Sequence, residues 1–262
     1  MTQPTESAAF DWHPEPQATA LLTTRLAELS QASPFLQQLE KRLLLGTGTR
    51  LFDWLDTLHV AANAELSACG FVAGRGKCRG RWVHPEASLP MVVNDGRAIL
   101  YLRTDRVPAT LLALGRDQRV AIHGGPTASI RWATLHHDEG VEVRVVERHG
   151  DLGDPERDVA STVDAGELAR WSEAFQLRAR DFNDDRDAFR HTWRTIHDAL
   201  GELGLDRTCE LFFESERAYW QSRNDAAQMQ KLRQDRLGLG WANHDHHTYR
   251  SSREHYGDLI QT

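Results

Sequence analysis

Four consecutive residues late in the chain, His244-Asp245-His246-His247, bring together three imidazoles and a carboxylate. Imidazole titrates near neutral pH and is a common metal ligand, so such a cluster is costly to keep unless something binds it. In an extended segment alternate side chains share a face. His244 and His246 then share one face, and Asp245, His247 and Tyr249 the other. A His-x-His pair on a strand can place two ring nitrogens on one ion. A third ligand, usually a carboxylate, comes from elsewhere, and the open coordination positions are where chemistry happens. His246 is the first ligand on this reading, with His244 or His247 beside it. Two other readings stay open: a polar seam hydrogen-bonded to nearby acids and Arg250, and a catalytic histidine that needs no metal.

The distant carboxylate is expected at Glu147, at the end of a predicted strand over 141–147; Glu142 falls on the opposite strand face. Arg250 would pair a substrate carboxylate. His136 and His137 are expected at a hairpin tip beside Asp138 and Glu139. His59 is expected as a satisfied core or edge histidine, His84 as an extended residue before Pro85, and His123 as loop. Glu216, Tyr219, Trp220 and Arg223 lie within one or two helical turns of each other. They form either a substrate-facing surface or an amphipathic helix with solvated charges, and the second is the reading taken. Cys69, Cys78 and Cys209 are odd in number and irregular in spacing, neither a disulfide framework nor a zinc ribbon. Cys209 is expected as a buried, inert thiol.

The elements that must position these groups follow from periodicity. Residues 1–17 read as a flexible lead. Leucine spacing over 17–45 predicts two amphipathic helices parted at Ser33-Pro34, and Gly46-Thr47-Gly48 reads as a helix stop, not a phosphate loop. Between 50 and 150 come short β-like runs with turn signals at Asn94-Asp95-Gly96, Gly124-Gly125-Pro126 and Asp138-Glu139-Gly140. Val107 to Leu114 reads as a short helix with Pro108 in its first turn, and 130–135 with 141–146 as a hairpin. Residues 18–150 are thus expected as helices plus a small antiparallel sheet module. Residues 151–262 are expected as a helical region, its last long helix spanning 206–236, ending in the His-rich strand and a short helix. The fold class is α+β.

A hydrophobic fraction of 40% and a charged fraction of 26% are ordinary for a globular protein. The net charge of -7, with basic residues interleaved among acids, argues against nucleic acid. No apolar run approaches a membrane span, and residues 1–16 have no signal-peptide pattern. A cytoplasmic location follows as an expectation. The expected partners are a small-molecule substrate and a second copy of the chain in a homo-oligomer.

The run Asp245-His246-His247-Thr248-Tyr249-Arg250-Ser251-Ser252, followed by a helix, resembles the opening β-α of a vicinal oxygen chelate module. Units of that superfamily begin with an Asp-His pair whose His binds metal, which marks His246. Leu55-Asp56-Thr57-Leu58-His59-Val60-Ala61, with the strands that follow to Glu147, resembles a second, degenerate copy. There Thr57 stands where the ligand His would be, and His59 lies two residues on. A more distant resemblance is to the 2-oxoadipate dioxygenase/hydroxyglutarate synthase-like iron enzymes, where a His-containing strand and a distal Glu carry the metal. The C-terminal copy stops before its three further strands, which implies a shortened member. The Asp-His-His phosphoesterases share Asp245-His246-His247 but need an upstream Asp-x-Asp motif that is not present. The His-Asp phosphohydrolases place their pair on a helix. These resemblances imply a mononuclear non-haem site, iron(II) or else zinc or manganese, acting on a small oxo or hydroxy acid. The rival expectation is a non-catalytic binding or assembly protein whose histidine cluster is structural.

Overall fold

The computed structural model describes residues 15–116, 120–138, 140–157, 163–240 and 256–257. Helices α1 (Pro16–Ala32) and α2 (Pro34–Thr47) open the chain, each with proline in its first turn, where no N–H is needed. Ser33 serves both. Its N–H closes on the Ser30 carbonyl of α1, and its hydroxyl accepts from Leu36 N–H of α2 at 3.4 Å. Gly48, in the left-handed region at φ 73°, ends α2.

A 3-10 turn (Leu51–Trp54) feeds β1 (Leu55–Val60), all six residues of which are buried. Then follow α3 (Asn63–Ala68), β2 (Val72–Ala73), β3 (Trp82–Val83), β4 (Met91–Asn94), β5 (Ala98–Thr104), α4 (Val107–Ala113), β6 (Ile130–Asp138) and β7 (Val141–Arg148). The strands form one seven-stranded sheet in the order β2-β3-β4-β1-β5-β7-β6. The expected α+β class, with leading helices and a C-terminal helical region, is what the chain adopts. The sheet, however, is mixed. β1 runs parallel to β4 and β5 parallel to β7, while the other pairs are antiparallel. Strand periodicity reports which face a residue takes but not the end at which the chain re-enters the sheet. The excursions through α3 to β3, and through α4 to β6, bring β4 and β7 into the sheet parallel to β1 and β5.

One face of the sheet carries Leu58, Val92, Leu100, Leu102, Val143 and Val145. These pack into a common core with Leu22 and Leu26 of α1 and Leu36, Leu39 and Leu43 of α2. The other face holds a smaller cluster, Ile99, Tyr101, Ile130, Trp132 and Val146. A register shift between Leu55 and Thr57 sets two steps of β1 against one of β5, so Asp56 is the extra residue of a bulge. His136 and His137 lie within β6 and not at a tip, since the strand continues to Asp138 across a second shift.

The helical region comprises α5 (Ala165–Gln176), α6 (Asp185–Leu203), α7 (Leu205–Gln221) and α8 (Asp225–Asp235). Asp164, Asp184 and Asn224 cap α5, α6 and α8 with their side chains. The single long helix expected over 206–236 is therefore two. Asn224 leaves helical geometry and accepts from Ala227 N–H, starting a new helix where the spacing alone showed no interruption. Trp171, Phe175, Ala199 and Leu211 give α5–α7 a core of their own.

Beyond α8 the chain returns to the main core with Leu237 and Leu239. Asp105 N–H donates to the Leu239 carbonyl at 3.0 Å, and the Thr110 hydroxyl to the Gly238 carbonyl at 2.6 Å. Gly238 has φ 74°, and a Cβ there would stand 2.5 Å from Thr110 Cα. Both the conformation and the space demand glycine. Gly238→Ala is expected to destabilise the fold by about 1–3 kcal/mol or more, read as a lower urea midpoint; an unchanged midpoint would mean this return is not anchored at Gly238.

Candidate ligand cavity

At the end of the sheet where β1 and β4 begin and β5 finishes lies a cavity of about 600 Å³. That is within the range of roughly 300–1,000 Å³ typical of small-molecule sites. Phe52, Trp54, Val83, Leu89, Pro90 and Met91 supply its apolar wall. Thr49, Asp53, Asp56, Cys78, Ser88 and Arg103 supply the polar atoms, and Leu152 flanks them. The chain brings these together from the 3-10 turn, the bulge of β1, the end of β5 and the loop after β7.

Asp56 organises this end of the molecule. Its side chain is fully buried. Arg148 grips both oxygens, Nε to Oδ1 at 2.8 Å and Nη2 to Oδ2 at 2.9 Å, and the Thr57 hydroxyl adds a bond at 2.9 Å. Burial pushes the carboxyl pKa up, but the charge and hydrogen bonds of Arg148, with Arg103 and Thr57, outweigh it and hold it at about 2. Arg148 also donates through Nη1 to the carbonyls of Asp151 (2.9 Å) and Gly153 (2.8 Å). Buried Arg81 donates to the carbonyls of Lys77, Leu152 and Gly153. Two guanidinium groups thus fix the loop that carries Leu152. Arg103 also approaches Asp56, but through one contact of 3.4 Å, and its side chain is 36% exposed.

Glu147, the expected metal carboxylate, is buried at the end of β7 with both oxygens engaged. Val107 N–H donates to Oε2 at 2.8 Å, Arg131 Nη1 reaches both oxygens at 3.1 and 3.2 Å, and His149 Nε2 meets Oε1 at 2.7 Å. His149 Nδ1 meets Glu210 of α7, so one imidazole bridges two carboxylates from sheet and helix. Burial lowers the His149 pKa, but Glu147 and Glu210 more than reverse this and raise it to about 9. Glu147 is buried, so these are not surface contacts; the residue joins the sheet to α4 and the helical unit. Lys77–Asp206 and the donation from Arg207 to the Thr127 carbonyl extend the same seam.

His244, His246, His247 and Arg250 lie outside the described residues, as does the expected terminal strand. Among the described residues no group of three or more His, Cys, Asp or Glu is placed to hold a metal ion. His59 is a satisfied core histidine: its Nδ1 faces Asp95 Oδ2 at 3.0 Å, and burial pushes its pKa down. His136 stacks on Phe35 and pairs with Asp138. His84 packs edge-on against Phe71. His123 stacks on Trp132 through an isolated bridge to that residue. Glu216 is buried and accepts from Arg178 and Arg180, and Tyr219 lies under Arg180 and Arg223. The segment is an amphipathic helix, as expected: Phe212 packs on the core of α5–α7, Glu214, Trp220 and Arg223 are exposed, and Glu216 is the charge that is buried and paired. Cys209 is exposed, contrary to expectation, because the apolar stripe of α7 runs through Leu211 and not through it. Sequence reasoning did not single out Arg103; its alternation with Leu100 and Leu102 on β5 was the available signal.

No described helix is long and apolar enough to cross a membrane. No family model, curated protein or solved structure matches the chain.

The His149 bridge makes a signed prediction. Its folded pKa lies above the unfolded value of 6.5, so its contribution is complete below about pH 6.5 and is lost as pH rises through about 9. The loss is on the order of 3 kcal/mol. Urea midpoints measured from pH 6 to 10 should fall over that window in the wild type and flatten in His149→Gln. Glu147→Gln, which leaves Arg131 and His149 facing a neutral group, should cost about 3–5 kcal/mol; an effect under about 1 kcal/mol would show the seam to be solvated.

Proposed function

We propose that the protein is a binding module for a small organic molecule, housed in the cavity between the 3-10 turn, β1, β4 and Arg103. The observation that carries this reading is the cavity itself: a volume of about 600 Å³ whose lining combines apolar side chains with polar groups, Asp56 and Arg103 among them. Asp56 in its lining is anchored by Arg148 and the flanking 151–153 loop by Arg148 and Arg81, so the opening does not depend on a single flexible side chain.

A mononuclear iron(II) oxygenase, with His246 and His244 or His247 as ligands and Arg250 pairing a small oxo or hydroxy acid, is supported by the histidine run alone. For Glu147 to serve as its carboxylate, the residue would have to give up Arg131, His149 and the Val107 N–H. Such a centre therefore fits better with a different acidic ligand. The same cavity would serve an enzyme as a substrate pocket, so the two readings differ in whether metal is required.

Two measurements test the proposal. Ser88→Trp, at an exposed position on the cavity wall, should fill the opening and weaken ligand binding at least about tenfold while leaving the thermal midpoint of the free protein unchanged. Protein prepared without a histidine tag and dialysed against a chelator should bind the same ligands with unchanged affinity. Loss of binding on chelation, restored by stoichiometric iron, would overturn the metal-free reading in favour of the oxygenase.

A further inference from the structure

Resting on the ligand-cavity reading, we propose that the cavity takes a monocarboxylate with an apolar tail, its carboxylate paired to Arg103. The inference starts from a mismatch of partners around Asp56. That carboxylate already receives Arg148 through two nitrogens and the Thr57 hydroxyl at 2.8–2.9 Å. Arg103 arrives last, through Nη2 alone at 3.4 Å. A guanidinium carries five N–H donors and does not lose its charge. Among the described residues Asp56 is the one acid within ion-pairing distance of Arg103. One negative charge is thus shared between two guanidinium groups, and the second of them lines the cavity.

The fork of an arginine matches the two oxygens of a carboxylate, and such a pair gains most where water is partly excluded. In the same lining, Phe52, Val83, Leu89, Pro90 and Met91 offer a surface for hydrocarbon and not for a second charged group. The number of charges limits the ligand further. Arg103 is the one cation in the lining, and Asp53 and Asp56 are both negative. Arg148 already grips Asp56 from outside the lining, so Arg103 is the positive charge a ligand can draw on, enough to offset a single negative charge but not the two of a phosphate monoester. Asp53 is the competitor for the polar end, since it would prefer an amine. Its Oδ2 already accepts from Arg50 N–H at 2.7 Å, and that bond closes the 3-10 turn. That bond commits Asp53 to the turn, whereas Arg103 contributes one long contact to the fold and sets the sign of the ligand.

Isothermal titration of the full-length chain at pH 7.5 with hexanoate, hexanamide and hexylamine tests this. Hexanoate should bind, and hexanamide and hexylamine should bind at least about tenfold more weakly. Arg103→Gln should bring hexanoate down to the level of the amide, while Arg103→Lys should retain part of the difference as a point charge without the fork. Circular dichroism and the thermal midpoint of both variants should match the wild type, since Arg103 contributes one long contact to the fold. If hexanamide or hexylamine binds as tightly as hexanoate, the carboxylate assignment falls and the cavity reading stands. If hexanoate binds and Arg103→Gln leaves its affinity unchanged, the carboxylate is recognised elsewhere and the assignment to Arg103 falls. If none of the three binds, and wild type and Ser88→Trp behave alike, the cavity reading falls and this inference with it.

Discussion

The contact between Asp56 and Arg148 is the constraint around which this end of the molecule is arranged. The two residues are 92 positions apart and meet with the carboxylate wholly buried and the guanidinium 6% exposed. Removing both charges from water costs several kcal/mol each, and close two-point geometry with further hydrogen bonds is what offsets it. The bulge at Asp56 supplies that geometry by turning the carboxylate out of the regular alternation of β1 toward β7. Arg148 supplies the rest by also capping the carbonyls of the 151–153 loop. Strand, sheet end and loop are thereby tied at one point, and the cavity opens beside it.

A second charged junction does for the helical unit what this pair does for the cavity. Helices α5–α7 carry their own small core, so little hydrophobic surface joins them to the sheet. His149 between Glu147 and Glu210, Lys77 with Asp206, and Arg207 on the Thr127 carbonyl carry that joint. Gly150 permits it sterically: with φ 71° it approaches the Asp206 carbonyl oxygen where a Cβ would come to 2.5 Å. Polar joints of this kind are specific in direction and sensitive to pH, whereas an apolar joint would be neither. The two junctions share the segment 147–153, so the loop flanking the cavity is also the loop that receives α7.

Much of the architecture was legible in the residues. Ser33-Pro34 separated the first two helices because serine caps and proline starts, and the leucine spacing on either side named the buried faces. The β-like runs and turn glycines located the long strands, and His59 was read as a satisfied core residue, which its bond to Asp95 bears out. Sheet direction was not legible, because alternation is identical in parallel and antiparallel strands. The break at Asn224 was missed because a cap inside a continuous amphipathic stripe leaves the spacing intact. The cavity was missed for a deeper reason. Its lining comes from five separate segments between Thr49 and Leu152, and no local pattern marks residues that become neighbours only through β1 pairing with β4 and β5.

The contrast between Glu147 and Arg103 shows where function is best sought in such a fold. A residue type that can ligate metal draws attention in a sequence, yet once folded Glu147 has a partner for each oxygen, and so have the ring nitrogens of His136 and His149. Groups engaged in this way hold the structure together and have little capacity left for a ligand. Arg103 is the reverse: an ordinary residue type in an alternating strand, whose charge is left half-compensated because Arg148 reached the shared carboxylate first. Burying the Asp56–Arg148 pair to fix the sheet therefore generates, as its by-product, a partly exposed guanidinium in a lining rich in apolar side chains. In this fold the structural requirement and the proposed binding capacity have the same origin.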